Sequence, residues 1–489
     1  MREGSEQDDR EPEEDVASRY EAVLRRFGAV VDFDISGLDR LGIPVTSCSL
    51  AVAGRFAHHG NGYGPTPEAA RVSGLGELAE GVLTAIGVQR LRAQARRSSH
   101  RELVRREGAE RVVDPRTLCL PAGSDYTDEQ ELDWVPVERV RSGEPAWVPL
   151  EFVASESSEL GDAPALIQPI TNGLGAGLDP LRPVTHGLLE ILQRHTNGLR
   201  FRALDRRSPV IEPDGLPGSV AALVERFRAA GVEPVLKHAV TELGVCSTYV
   251  MGLDDDLGEP VLLTACGEAA HPSAEVSLTK ALLEYANSRS RKAFCFGRGG
   301  DRVRELAPPA YWSALGDGSG GEPRAVAAMQ EWSRLASTAL RDLTAPVRTE
   351  SVPYAEIVVR PDPAALRQPE LLAYLLEELG EHEVLSVSTQ VGDVVAAKTI
   401  VPGLEVEVLS YGRLGELGVR ALLDADLGLV RVQPGPSGEH RDRVWLTEAA
   451  EERLGGQAWY SYAAADRLVG DLYPLYREPP RHTVVVGGP

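Results

Sequence analysis

Three segments, far apart in the chain, each set acidic, basic or hydroxyl side chains at helical spacing. TPEAARVSGLGELAEG carries Ser73, Glu77 and Glu80. PVTHGLLEILQRH carries Glu190, Gln193 and Arg194. SLTKALLEYANSR carries Lys280 and Glu284. Residues three, four and seven apart share one face of a helix. Carboxylates that face a common interior do not all stay ionised and buried without a cation. Mg2+ takes oxygen ligands and usually shares them with phosphates. Each helix is therefore predicted to form one wall of a magnesium–nucleotide site, and the chemistry to be phosphoryl transfer on a fold without a P-loop.

The elements that must hold these faces are legible around them. After the Gly-rich NGYGPTPEAA, Thr66 caps a helix with Pro67 at its first position and Glu68 at the positive end of its dipole. That helix is expected to run from Pro67 to the low 90s. Asp179-Pro180 opens the second helix and His271-Pro272 the third. Residues 17–55 read as a short helix followed by strands, with GLDRLGIPV turning into a buried strand. LDWVPVERVRSGEPAWVPLEFV reads as two strands around a Ser-Gly-Glu-Pro turn. Residues 217–231 form an amphipathic helix, VEPVLKHAV a strand, and Thr248 to Leu263 a hairpin around DDDLGEP. A helix over 324–344, strand AEIVVR, helix PELLAYLLEEL and strands EVLSVSTQ and VVAAKTIVPGLE follow. Strands alternating with helices give an α/β fold class.

The chain has 489 residues, an ordinary apolar fraction of 43% and a net charge of −22. Such acidity argues against non-specific nucleic-acid binding, and no segment reads as a membrane span. Residues 1–16 are acidic and polar, unlike a signal or transit peptide, and read as a disordered tail. The five cysteines (Cys48, Cys119, Cys246, Cys266 and Cys295) are scattered, without a CxxC. They read as buried, reduced residues of a cytoplasmic protein. Residues 90–116 carry nine arginines with acids interleaved; a solvated helical face is the plain reading, a docking patch for an acidic partner or leader peptide the alternative. His58-His59 reads as a loop or strand feature. His186, one turn before Glu190, either faces the site or is an ordinary packed or surface histidine. No general base can be named.

Eight blocks in this order resemble the YcaO family over residues 25–430: GLDRLGIPV, GYGPTPEAARVSGLGELAEG, LDWV with SGEPAWVPLEFV, PITNGLGAG, HGLLEILQR, TELGV, AHPSAEVSLTKALLEYANSR and VPGLE. The resemblance implies a YcaO-type α/β fold, mixed sheets packed by helices, with an ATP and Mg2+ site between converging helices. It implies a YcaO domain over 17–430 and a C-terminal extension over 431–489. Ser73, Glu77 and Glu80 match the family's Ser-x-x-x-Glu-x-x-Glu. Glu190, Gln193 and Arg194 match its Glu-x-x-Glu/Gln followed by Arg, and Lys280 and Glu284 its Gln/Arg-x-x-x-Glu. By that likeness Ser73, Glu77, Glu190, Arg194, Lys280 and Glu284 bind ATP, and Glu77, Glu80, Glu190, Gln193 and Glu284 hold Mg2+.

The chain departs from the family pattern at several positions. Gln193 stands where many members have Glu, Gly177-Leu178 replaces a Gly-Asn block, Arg182 stands where Glu is common, Val31 where a basic residue is frequent, and Asn287 where Gln is frequent. The terminal REPPRH differs from the Pro-x-Pro-x-Pro tail of many azoline-forming members. The family scheme is ATP-dependent O-phosphorylation of a peptide backbone amide after a nucleophile has added to it. The products are azolines, thioamides or amidines. The leading expectation is thioamide formation with a TfuA-like partner. The alternatives are a stand-alone azoline- or amidine-forming enzyme, or a non-catalytic peptide-binding scaffold. Expected partners are a precursor peptide or protein, a TfuA-like or ubiquitin-activating-like protein, and a second copy in a homodimer.

Overall fold

The computed structural model describes residues 12–161, 165–200, 204, 206–254, 260–297, 299–315, 323–332, 334–358, 366, 368–406 and 412–476. Among them lie four sheets. The first is β1 (Ala29–Asp34), β2 (Val45–Val52) and β3 (Arg55–Tyr63), in that order. The second runs β4 (Arg96–Ser99), β5 (Glu131–Arg139), β13 (Leu385–Val391), β14 (Val394–Ile400) and β7 (Leu174–Gly177), with β6 (Pro145–Pro149) on β5. The third runs β11 (Gly267–His271), β10 (Val245–Asp254), β9 (Val232–Glu242), β8 (Val210–Ile211) and β12 (Ser351–Val352). A small fourth sheet holds β15 (Val430–Val432), β17 (Ala458–Tyr460) and β16 (Asp442–Arg443). The β8–β12 pair is parallel within an otherwise antiparallel third sheet.

Three long helices separate the sheets. α2 (Pro67–Arg92) packs on β2 and β3 and also on β7, β13 and β14. α4 (Leu181–Leu199) packs on β7 and β14 and also on β10 and β11. α6 (Ala274–Phe296) packs on β10 and β11 and reaches back to β2 and β3. Each helix thus lies between two sheets, and the arrangement closes on itself. Each buries an apolar side: Leu75, Leu78 and Leu83 on α2, Leu188, Ile191 and Leu192 on α4, Leu278, Leu282 and Tyr285 on α6. Each fully buried leucine contributes about 2 kcal/mol. What is left of each helix surface turns to the central space.

The shorter helices cover the outside: α1 (Glu13–Leu24) on α2, α3 (His100–Glu107), α5 (Gly218–Ala229) on β9, α7 (Gly300–Leu306), α8 (Pro309–Ala314), α9 (Pro323–Trp332), α10 (Ser337–Thr344), α11 (Gln368–Glu378) on α4, α12 (Glu416–Asp424), α13 (Glu448–Leu454) and α14 (Tyr462–Val469). Residues of the fourth sheet and of α12–α14 share a core with Leu199, Tyr249, Trp332 and Val406. Arg289, fully buried on α6, pairs with Asp39 and with Asp254 at 2.7 and 2.8 Å, so one guanidinium ties the β1–β2 connection to β10.

Several local expectations change. α1 begins at Glu13, inside the stretch read as a tail; residues 1–11 and the terminal REPPRHTVVVGGP lie outside the described residues. The helix expected over 324–344 is two helices, α9 and α10, interrupted near Leu335. In the segment read as strand AEIVVR, Ala355 and Glu356 belong to a 3-10 turn, and residues 359–360 lie outside the described residues. The strand after β10 is not 260–263, which forms a 3-10 turn, but Gly267–His271. The arginine-rich stretch is not one helix. It divides into the end of α2, the edge strand β4, the eight-residue α3 and turns. Trp134 of β5 donates its indole N–H to Ser98 O at 2.9 Å, which holds β4 in the sheet. Arg97, Arg101 and Arg116 pair with acids on the same surface.

Candidate active site

The same local device recurs three times where strand meets helix. A glycine of the strand lies directly on the helix backbone, with no room for a side chain. A Cβ on Gly62 of β3 would fall 1.9 Å from Ala70 O of α2; on Gly175 of β7, 2.2 Å from Pro183 O of α4; on Gly267 of β11, 2.1 Å from Ala281 O of α6. At so close an approach a glutamate one or two turns further along the helix reaches a backbone N–H of the strand or its approach. Glu77 accepts from Asn61 N at 2.9 Å, Glu190 from Gly173 N at 2.9 Å and Glu284 from Glu268 N at 3.2 Å. Each carboxylate is thereby anchored at the wall of the central space rather than swinging on a long side chain. The helix starts are fixed by Thr66 Oγ1 accepting from Ala69 N at 3.0 Å, Asp179 Oδ1 from Leu181 N at 2.8 Å, and Ser273 Oγ from Val276 N at 3.4 Å.

The central space is a cleft of about 880 Å³, and Ser73, Glu77, Glu80, Glu190, Gln193, Arg194, Lys280 and Glu284 all line it. The three faces predicted from helical spacing therefore converge. His186 also faces the cleft, its Nε2 3.9 Å from Glu80 Oε1 and its side chain 49% exposed. Burial, with the charge of Glu190 added, pushes the Glu80 carboxyl up to about 8 against the opposing Ala176 N–H, Arg182 and Lys280. Burial raises Glu190 as well, with Arg194 opposing. Burial lowers Lys280, countered by Glu284. The acids resist ionisation while the Lys280 amine resists protonation. A cation beside the acids and an anion beside the bases would relieve both.

The donor set fits Mg2+ and phosphate. Its ligands are hard oxygens, and its cations Arg182, Arg194 and Lys280 share the cleft. Among the described residues no three His, Cys, Asp or Glu side chains converge closely enough to hold a metal ion by themselves. Mg2+ completes its shell with water and substrate phosphate, so carboxylates spread over the walls of the cleft could share it with a nucleotide.

Sequence reasoning missed part of the wall. Glu268 of β11 lines the cleft and pairs with Arg194; Asn61 supplies the backbone N–H for Glu77. The available signal was a strand glycine preceding a helix glutamate by 15, 15 and 17 residues in the three cases. His58 and His59 belong to β3, where a register irregularity between Leu50 and Ala51 leaves Ala57 unmatched, and both histidines line the cleft. Of the departures, Arg182 and Asn287 line the cleft, whereas Val31 is 9% exposed in a core with Ile35, Val45 and Phe294, and Leu178 packs against the α1–α2 core. All five cysteines are buried and none forms a disulfide, as expected. No helix among the described residues is long and apolar enough to cross a membrane.

A family model described as YcaO cyclodehydratase, ATP- and Mg2+-binding, matches residues 61–405. A protein of unassigned function from Methanothermobacter thermautotrophicus is 28% identical over 423 residues, covering 80% of this chain and 94% of its own. A Rhizobium leguminosarum bv. trifolii protein, described as lying in the tfuA 3′ region, is 24% identical over 283 residues, 54% of this chain and 63% of its own. Among solved structures, YcaO from Methanopyrus kandleri bound with AMPPCP and Mg2+ superposes with a TM-score of 0.56 at 20% identity, over 83% of this chain and 94% of that one. A heterocyclase in complex with substrate and cofactor gives a TM-score of 0.60 at 14% identity, over 85% of this chain and 55% of that one. The chain belongs to the YcaO family, and ATP and Mg2+ are the cofactors of its domain.

Proposed function

We propose that this YcaO protein is an ATP-dependent enzyme that activates backbone amides of a ribosomally made peptide or a protein. The observation that carries the reading is the meeting in one cleft of the three carboxylate-bearing helix faces. Glu77, Glu80, Glu190, Gln193 and Glu284 would hold Mg2+, while Ser73, Arg194 and Lys280 would contact the nucleotide phosphates. Bound Mg2+ supplies a positive centre that offsets charge on the transferring phosphoryl group. An amide oxygen is a poor leaving group. Addition of a nucleophile to the amide carbon makes it an oxyanion, which takes the γ-phosphoryl group of ATP and then departs as phosphate. Arg194, held by Glu268 and with Glu190 at 3.7 Å, and Lys280 are fixed cations suited to the charge that builds up during that transfer. No nucleophile from the protein is needed.

Within this class the leading product is a thioamide, made with a TfuA-like partner. The support is the tfuA-adjacent location of the Rhizobium relative and the terminal REPPRH, which differs from the Pro-x-Pro-x-Pro tail of many azoline-forming members. The second reading, an azoline, is favoured by the family's description as cyclodehydratases.

The test is calorimetric titration with AMPPCP and Mg2+, wild type beside the E77A/E190A double variant. Mg2+-dependent binding that the double variant loses supports the site; folded wild type that binds nothing, alone or with its partner, overturns it in favour of a scaffold. Product mass then separates exchange of oxygen for sulfur from loss of water.

A further inference from the structure

Gln193 brings an amide where the helix pattern calls for a second carboxylate, so the α4 wall has one charge fewer than the α2 wall. A carboxylate absent from that pattern stands in the same cleft. Glu268 projects from β11, which packs between α4 and α6, and only 6% of the residue is exposed. Its Oε1 is engaged by Arg194 Nη1. Its Oε2 is buried and has no hydrogen-bond partner among the described residues. Its own backbone N–H goes to Glu284 Oε2 at 3.2 Å, so strand and helix fix its position. On the same cleft wall, one turn beyond Glu284 on α6, the 4%-exposed Asn287 likewise has its Oδ1 without a partner among the described residues.

Two buried oxygens left without donors, one of them a carboxylate oxygen, are costly unless something positive binds there. A guanidinium would satisfy both oxygens of Glu268 by forking onto them, yet Arg194 takes only one. We infer that Glu268 is a cation-binding residue of the cleft, its Oε2 supplying to Mg2+ the negative oxygen that Gln193 does not. This rests on the magnesium–nucleotide reading above. It places the lost charge on the adjoining strand instead of the helix, with Asn287 Oδ1 as a neutral donor on the same side.

The experiment titrates Mg2+ calorimetrically into wild type, E268Q and the Q193E/E268Q double variant, each saturated with AMPPCP. Gln at 268 keeps the size and the oxygen that Arg194 engages but removes the charge. The half-saturating Mg2+ concentration of E268Q should rise about tenfold or more. Q193E/E268Q should return it toward the wild-type value. N287D, which charges the second unpartnered oxygen, should lower it. Melting temperatures confirm folding, and N287D with Q193E/E268Q carries the test if E268Q alone does not fold. An E268Q variant with unchanged Mg2+ dependence overturns the inference. So does a shift that Q193E fails to reverse, or an equal loss of AMPPCP affinity without Mg2+, because Glu268 would then act only by holding Arg194. A wild type that binds no Mg2+–AMPPCP at all instead defeats the reading of the cleft itself, which separates the two failures.

Discussion

The Glu80 carboxyl should make nucleotide binding strongly pH-dependent, over a range well above that in which ordinary surface acids titrate. Burial and the charge of Glu190 push it up to about 8. At about pH 7 only one molecule in roughly ten then carries it ionised. Binding that requires the ionised form loses about 1.4 kcal/mol there, and apparent affinity climbs roughly 90-fold from about pH 6 to about pH 9. Calorimetry of Mg2+–AMPPCP binding in buffers of different ionisation enthalpy measures both the affinity and the proton count. About 0.9 proton should be released per nucleotide at about pH 7. E80Q isolates the effect from titration of the nucleotide itself: it should weaken binding and flatten the profile. The unliganded protein carries the reciprocal signature. The native carboxyl is raised from 4.5 to about 8, so its stabilising contribution is fully present below the unfolded value and is lost as pH rises through the folded one. The span is up to about 5 kcal/mol before screening by cleft water, which reaches the 18%-exposed side chain. E80Q should therefore melt higher than wild type above about pH 8 without ligand and gain less from adding it. An affinity flat from acid to alkaline pH, or proton uptake on binding, would refute the reasoning.

Gly62→Ala should cost about 3 kcal/mol or more, read by chemical denaturation, because its Cβ would sit 1.9 Å from Ala70 O and 2.0 Å from Gly74 N. Gly218→Ala, whose Cβ meets nothing within 4 Å, is the neutral control. Arg289→Met leaves Asp39 buried without its guanidinium and Asp254 with Arg40 alone, and should cost about 3–5 kcal/mol in the same assay. All five thiols are buried, so a thiol alkylating reagent should label the native protein negligibly and the denatured protein five times, as counted by intact mass. Labelling of the native state at a folded-state rate would contradict the burial.

The serine and glutamates of α2, the glutamate and arginine of α4, and the lysine and glutamate of α6 could be read in sequence because helix geometry is local. Spacings of three, four and seven fix a common face whatever the helix packs against. The caps were legible for the same reason: Thr66 and Asp179 hold their own helix starts within a few residues. The split of α9 from α10 and the 3-10 turn at Tyr354–Glu356 were not, because propensity over so short a stretch yields to packing. Nor was the division of the arginine-rich stretch, where an indole donor 36 residues away recruits β4 to a sheet.

The sequence by itself determined which side chains share a helix face, that those faces are acidic enough to demand a cation, and that the cysteines form no framework. Only the tertiary structure decided that the faces meet. Three strand glycines allow backbone contact with three helices, and each helix lies between two sheets, so the polar remnants turn inward together. Contacts across such a distance leave no period in the chain. Glu268 belongs to the same class: a lone strand glutamate in sequence, it acquires its place only when β11 sets it between Arg194 and Glu284. The raised Glu80 carboxyl does too, because desolvation is a property of the assembled cleft and not of any segment within it.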